Sequence, residues 1–215
     1  MLISHPIDGV LLLQYNTKPE VSIRFGRLQE FYESPYDSIR GKVFNWETFL
    51  LTHFGEDRIQ RESYFNYWEG FNVPIETAHS FFNHFHDLSP GEIEIKELLK
   101  FFPDTKYLIA SFVGADSGVV DHEIAHAQFK LNKEYKEEVI NFINQIPPGI
   151  LNTFKRVLTN EGYTEEVLID EIHAYLLTSN VVEILTLFGN KGIKFSMKIK
   201  QALKKYNYKD ENNDE

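Results

Sequence analysis

The stretch His122-Glu123-Ile124-Ala125-His126 constrains this chain more than any other five residues. On an α-helix, residues four apart lie one above the other, so both imidazoles reach a single ion from one face. The flanking residues agree with a helix. Asp116 and Ser117 are good N-cap types and stand just before the run Val119, Val120, Ile124, Ala127, Phe129. Val120, Ile124 and Ala127 fall on one stripe, while His122, Glu123 and His126 fall on another. Upstream, Tyr107 to Phe112 reads as a short buried strand. The expected local order is strand, short glycine-containing turn, motif helix.

Two histidines at this spacing with a glutamate beside the first have a specific chemistry. His122 and His126 are expected to hold one zinc ion per chain. Glu123 is placed to act as general base on the attacking water. The alternative is a solvated helix face with two histidines and a glutamate on it.

A catalytic zinc takes three protein ligands and leaves a fourth position open. The longer metzincin signature H-E-x-x-H-x-x-G-x-x-H is absent, with Phe129 at its glycine position and Asn132 at its third histidine. Peptide deformylases use a cysteine ligand, and this chain has no cysteine. What the chain resembles is the gluzincin type of zincin metallopeptidase, in which a glutamate on a later helix completes the site. The matching stretch is Asp170-Glu171-x-x-Ala174-Tyr175, which departs from the Asn-Glu-x-x-Ser-Asp form. The resemblance spans about residues 105 to 180 and implies Glu171 as third ligand. His173 competes as the better ligand type, but it points roughly opposite to Glu171 on a helix. Thr164 is the expected N-cap of that helix, with Glu165 and Glu166 favoured by its dipole. Tyr175, one turn past Glu171, is the expected donor to the oxyanion of the tetrahedral intermediate, with Tyr163 as alternative. Asp170 or Asp121 would orient a ligating imidazole. His84 and His86, like His5, His53 and His79, are read as packing or surface residues.

Composition narrows the partners. With 22 Lys+Arg against 32 Asp+Glu, the net charge of −10 argues against a general nucleic-acid binder, which needs a basic face. Leu11 to Leu13 is far too short to span a membrane, and the N-terminus lacks a secretion signal. A cytoplasmic location is the default expectation, with export by a signal-free route open. The expected partner is a peptide or protein substrate; the sequence does not fix the oligomeric state.

The fold expected is α+β: a small N-terminal mixed or β region, then a mostly helical zincin-like core around the motif helix. A single domain over 1–208 is expected, with an N-terminal α+β part of about 1–112, a helical part of about 113–208, and a disordered acidic tail at 209–215. Strands are expected at Gly9 to Tyr15, Val21 to Leu28 and Tyr107 to Phe112, and the last is expected to pair with an extended substrate. Arg61 to Trp68 and Gly70 to Pro74 read as irregular or strand-like, and the latter has a motif-like look with no assigned role. Helices are expected at Trp46 to Phe54, Ile75 to Phe85, Pro90 to Phe102, Lys133 to Ile146, Ile150 to Leu158, Thr164 to Thr178 and Val181 to Phe188, with a short basic one from Lys198. The functional expectation is a zinc-dependent metallopeptidase. The alternative is a catalytically inactive zincin-fold module that binds protein.

Overall fold

The computed structural model describes residues 1–206, with backbone alone at Arg58, Gln60 and Arg61. The acidic tail expected at 209–215 lies outside the described residues. The fold is α+β, with a four-stranded mixed sheet in the N-terminal half followed by helices. Two compact units divide the chain, 1–123 and 124–215, and the division falls between Glu123 and Ile124.

The first unit is built on the sheet. Its strands are β1 (Leu2–Ser4), β2 (Val10–Tyr15), β3 (Gly70–Pro74) and β4 (Tyr107–Phe112). They lie in the order β1-β2-β4-β3, with β2 and β4 parallel and the outer pairs antiparallel. The period-2 pleat sorts the side chains. Leu11, Leu13, Leu108, Ala110, Phe71 and Val73 share one face and enter a common hydrophobic core. Val10, Leu12, Tyr107, Ile109, Ser111, Gly70 and Asn72 belong to the other face. Because β4 is paired on both sides, it has no edge for an extended substrate, and that expectation is corrected. The strand with one edge unpaired by another strand on this side of the sheet, among the described residues, is β3.

The core face is covered by helices: α1 (Lys18–Glu33), α2 (Trp46–Phe54), α3 (Arg58–Tyr67), α4 (Ile75–His84) and α5 (Pro90–Leu98), the last running into a 3-10 turn at Leu99–Phe101. Here two sequence expectations fail. Val21 to Leu28 is helical, not extended. Thr17 caps the helix by accepting from the Glu20 amide, Pro19 sits in its first turn, and Val21, Phe25, Leu28 and Phe31 form the buried stripe. The apparent alternation relied on Ile23, which is 52% exposed. Arg61 to Trp68 likewise lies mostly in α3, capped by Asp57. Tyr64 is buried there, its hydroxyl donating to Glu30 at 2.9 Å. Much of the phenylalanine content fills this core: Phe31, Phe81 and Phe85 meet edge-on or stacked, and Phe44 meets Phe49 and Phe85. A buried ion pair crosses it, Arg27 donating to both carboxylate oxygens of Glu92 at 2.9 and 2.6 Å.

The motif helix α6 (Ser117–Leu131) follows β4, and the unit division falls inside it. Asp116 accepts from the Gly118 amide at its start. The second unit continues with α7 (Lys133–Asn144), α8 (Pro148–Asn160), α9 (Leu168–Thr178) and α10 (Val181–Ala202), then a 3-10 turn at Lys204–Tyr206. Its core joins Val139, Phe154, Leu158, Ile172, Leu176 and Ile184. Two helices expected separately, from Val181 and from Lys198, fall in α10. Gly189 (φ 64°, ψ −167°) interrupts it in a conformation open essentially to glycine alone. No single helix among the described residues is long and apolar enough to cross a membrane; α9 and α10 qualify by length and composition only as a pair bent by 119°.

Candidate metal centre

The site begins with the start of α9. Thr164 does not cap it: the Val167 amide bonds the Thr164 carbonyl in a turn, and the helix begins at Leu168 after an N-cap at Val167 with no side-chain bond. Glu165 and Glu166 therefore precede the helix. Asp170 and Glu171 occupy its first turn instead, where the positive end of the helix dipole favours carboxylates. Glu171 is buried, as are Glu123 and His126 on α6, while His122 is half-buried.

His122, His126 and Glu171 each present one ligand atom, and these atoms lie within 4.8 Å of one another. They are the one group of this kind among the described residues. The His126 Nε2 to Glu171 Oε1 separation is 3.6 Å. Two ligand atoms each about 2.0–2.2 Å from one tetrahedral ion stand about 3.4 Å apart, so this spacing suits a shared ion better than a direct hydrogen bond.

What stands behind His126 fixes which nitrogen can serve. Its Nδ1 lies 3.0 Å from Asp170 Oδ1. A proton carried on Nδ1 beside that carboxylate leaves the Nε2 lone pair for a ligand role, toward Glu171. Burial pushes the Asp170 carboxyl up, but the His126 and His173 imidazoles outweigh that and hold it below the usual carboxylate range.

His173 is fully buried and has a different set of partners. Its Nδ1 lies 2.6 Å from the Asp170 carbonyl and 3.1 Å from the Asp170 carboxylate, and its Nε2 lies 3.0 Å from the Tyr135 hydroxyl. The ring stacks on Phe129. With Nδ1 donating to the Asp170 carbonyl and Nε2 accepting from Tyr135, the His173 ring is satisfied on both sides. It supports the Asp170 end of the centre rather than joining the donor group. Tyr175 and Tyr163, the two hydroxyls expected near the site, stand 3.0 Å from each other. Asp121 lies half-buried on α6. Away from the centre, His84 and His86 are exposed, and His53 stacks on Tyr36.

Two residues that sequence reasoning left without a role bear on Glu123. Asn72 Nδ2 donates to Glu123 Oε2 at 2.6 Å, and the Tyr107 hydroxyl donates to Asn72 Oδ1 at 2.6 Å. A Cβ added at Gly70 would stand 2.9 Å from Glu123 Cγ and 3.0 Å from Cδ, so only glycine admits the carboxylate here. The signal was the Gly70-Phe-Asn-Val-Pro74 segment, whose alternate residues Gly70 and Asn72 share a sheet face.

The donor set is two imidazoles and a carboxylate, one imidazole backed by a second carboxylate, which fits zinc. Comparison with protein-family models, with curated proteins and with solved structures returned no match.

Proposed function

We propose that this chain is a zinc-dependent metallopeptidase that hydrolyses peptide bonds. The observation that carries the reading is the convergence of His122, His126 and Glu171 on one point, with Asp170 orienting His126. These three residues would hold the ion, which when bound supplies a Lewis acid that polarises the scissile carbonyl and lowers the pKa of a water.

Glu123, one residue from a ligand, accepts the proton of the attacking water and delivers it to the leaving amine. Its contact with Asn72 orients the carboxylate before substrate arrives. Tyr175, paired with Tyr163, is assigned as hydrogen-bond donor to the developing oxyanion.

The test is elemental analysis of purified wild type, His122→Ala and Glu123→Gln, paired with cleavage of fluorescein-labelled casein. About one zinc per chain in wild type and Glu123→Gln, lost in His122→Ala, with casein cleavage in wild type alone, is the expected pattern. Absence of zinc from wild type after reconstitution at neutral pH would overturn the reading.

A further inference from the structure

We infer that Asn72 is a positioning residue for the general base. Held by Tyr107, it fixes in one orientation over β3 the Glu123 carboxylate that Gly70 admits. The inference rests on the peptidase reading for its catalytic consequence, but its geometry stands within the first unit alone.

The chain of contacts has one consistent direction. An ionised carboxylate only accepts hydrogen bonds, so the Asn72 amide must turn its Nδ2 toward Glu123 Oε2. That leaves Oδ1 facing Tyr107, whose hydroxyl then donates. Asn72 and Tyr107 are buried, so neither group can exchange its partner for bulk water at low cost. The register explains why they meet: Asn72 stands opposite Ile109 and Pro74 opposite Tyr107, so Asn72 and Tyr107 are diagonal neighbours on one sheet face. Gly70, two residues before Asn72, shares that face and leaves the space the carboxylate fills.

The functional consequence follows from the freedom of a glutamate. Its three side-chain torsions leave the carboxylate many placements, and a proton acceptor must sit within hydrogen-bond reach of the attacking water. A base misplaced by about 1 Å loses on the order of 100-fold in rate. Asn72 restricts those torsions through its hydrogen bond to Glu123 Oε2.

The experiment compares wild type with Asn72→Ala, Asn72→Asp and Tyr107→Phe. Zinc affinity is read by chelator competition, kcat and KM on a quenched fluorescent peptide selected from a casein digest, and the Glu123 side chain in zinc-free crystal structures. Zinc affinity and KM are expected to stay within about twofold, while kcat falls on the order of 100-fold in Asn72→Ala. Asn72→Asp, which sets a carboxylate against Glu123, is expected to fall at least as far, and Tyr107→Phe less. A packing role predicts the reverse order, because Asp is nearly isosteric with Asn and Ala is not. Retention of kcat in Asn72→Asp would overturn the inference. Should wild type cleave no peptide, the peptidase reading fails separately, and the zinc-free structures decide the positioning. Glu123 leaving its place over Gly70 in Asn72→Ala supports the inference, and an unmoved carboxylate overturns it.

Discussion

Replacing Asp170 by Asn removes one charge from behind the candidate metal centre and almost no volume. In the native chain the Asp170 carboxylate stands 3.0 Å from His126 Nδ1 and 3.1 Å from His173 Nδ1. His173 has the Asp170 backbone carbonyl at 2.6 Å and Tyr135 at 3.0 Å, neither of which the substitution touches. The effect therefore falls on His126, whose Nδ1 then faces a neutral amide instead of a carboxylate. Loss of such a partner lowers zinc affinity about 10–100-fold, or about 1.4–2.7 kcal/mol. At free zinc 100 times the wild-type Kd, binding stabilises wild type by about 2.7 kcal/mol and the variant by about 0.4–1.4 kcal/mol. The difference corresponds to a zinc-induced rise in Tm smaller by about 3–9 °C in the variant. Chelator competition gives the affinities, and scanning calorimetry with and without zinc gives the shifts. A folded Asp170→Asn protein that binds zinc as tightly as wild type would refute the argument that this carboxylate sets the ligand state of His126.

Four further outcomes are expected. Removing zinc with a chelator should abolish casein cleavage, and adding zinc back should restore it in wild type but not in His126→Ala, read as initial rates. Glu92→Gln keeps the cap on the Ser89 amide but leaves the Arg27 guanidinium, 5% exposed, with only the 63% exposed Asp87 for charge; urea unfolding should show a loss of about 3 kcal/mol. Burial raises the Glu30 carboxyl above its ordinary 4.5, against the lowering bonds from Ser34 and Tyr64, so its contribution is fully present below the unfolded pKa and is lost as pH rises through the folded one. Glu30→Gln should therefore gain on wild type between pH 4 and pH 7 in paired denaturant titrations, and a constant difference would contradict this. Gly189→Ala should lower the unfolding free energy by about 1–3 kcal/mol, because its φ of 64° and ψ of −167° exclude a side chain, as a thermal melt will register.

The local sequence signals that held were those set by neighbouring residues. The motif helix, the strand at Tyr107 to Phe112 and the helix at Trp46 to Phe54 each carried their own period and boundary residues. Val21 to Leu28 misled because Val21 and Phe25 fit both periods, and the decision lay with the Thr17 cap and with what Ile23 fails to bury. The start of α9 misled because Thr164, a good cap by type, closes only a single turn. The change matters to the site, since it moves Asp170 and Glu171 into the first helical turn.

By itself, the sequence determined a helix bearing two histidines and a glutamate, an acidic chain without cysteine, and a short set of acidic or imidazole groups downstream. Those follow from composition and from contacts within one turn. Which downstream group meets the motif, and what holds Glu123, were tertiary decisions. Glu171 rather than His173 joins the donor group because burial against Phe129 and Tyr135 engages the His173 ring. Asn72 reaches Glu123 only because strand pairing sets β3 beside β4, a long-range register that no local pattern encodes.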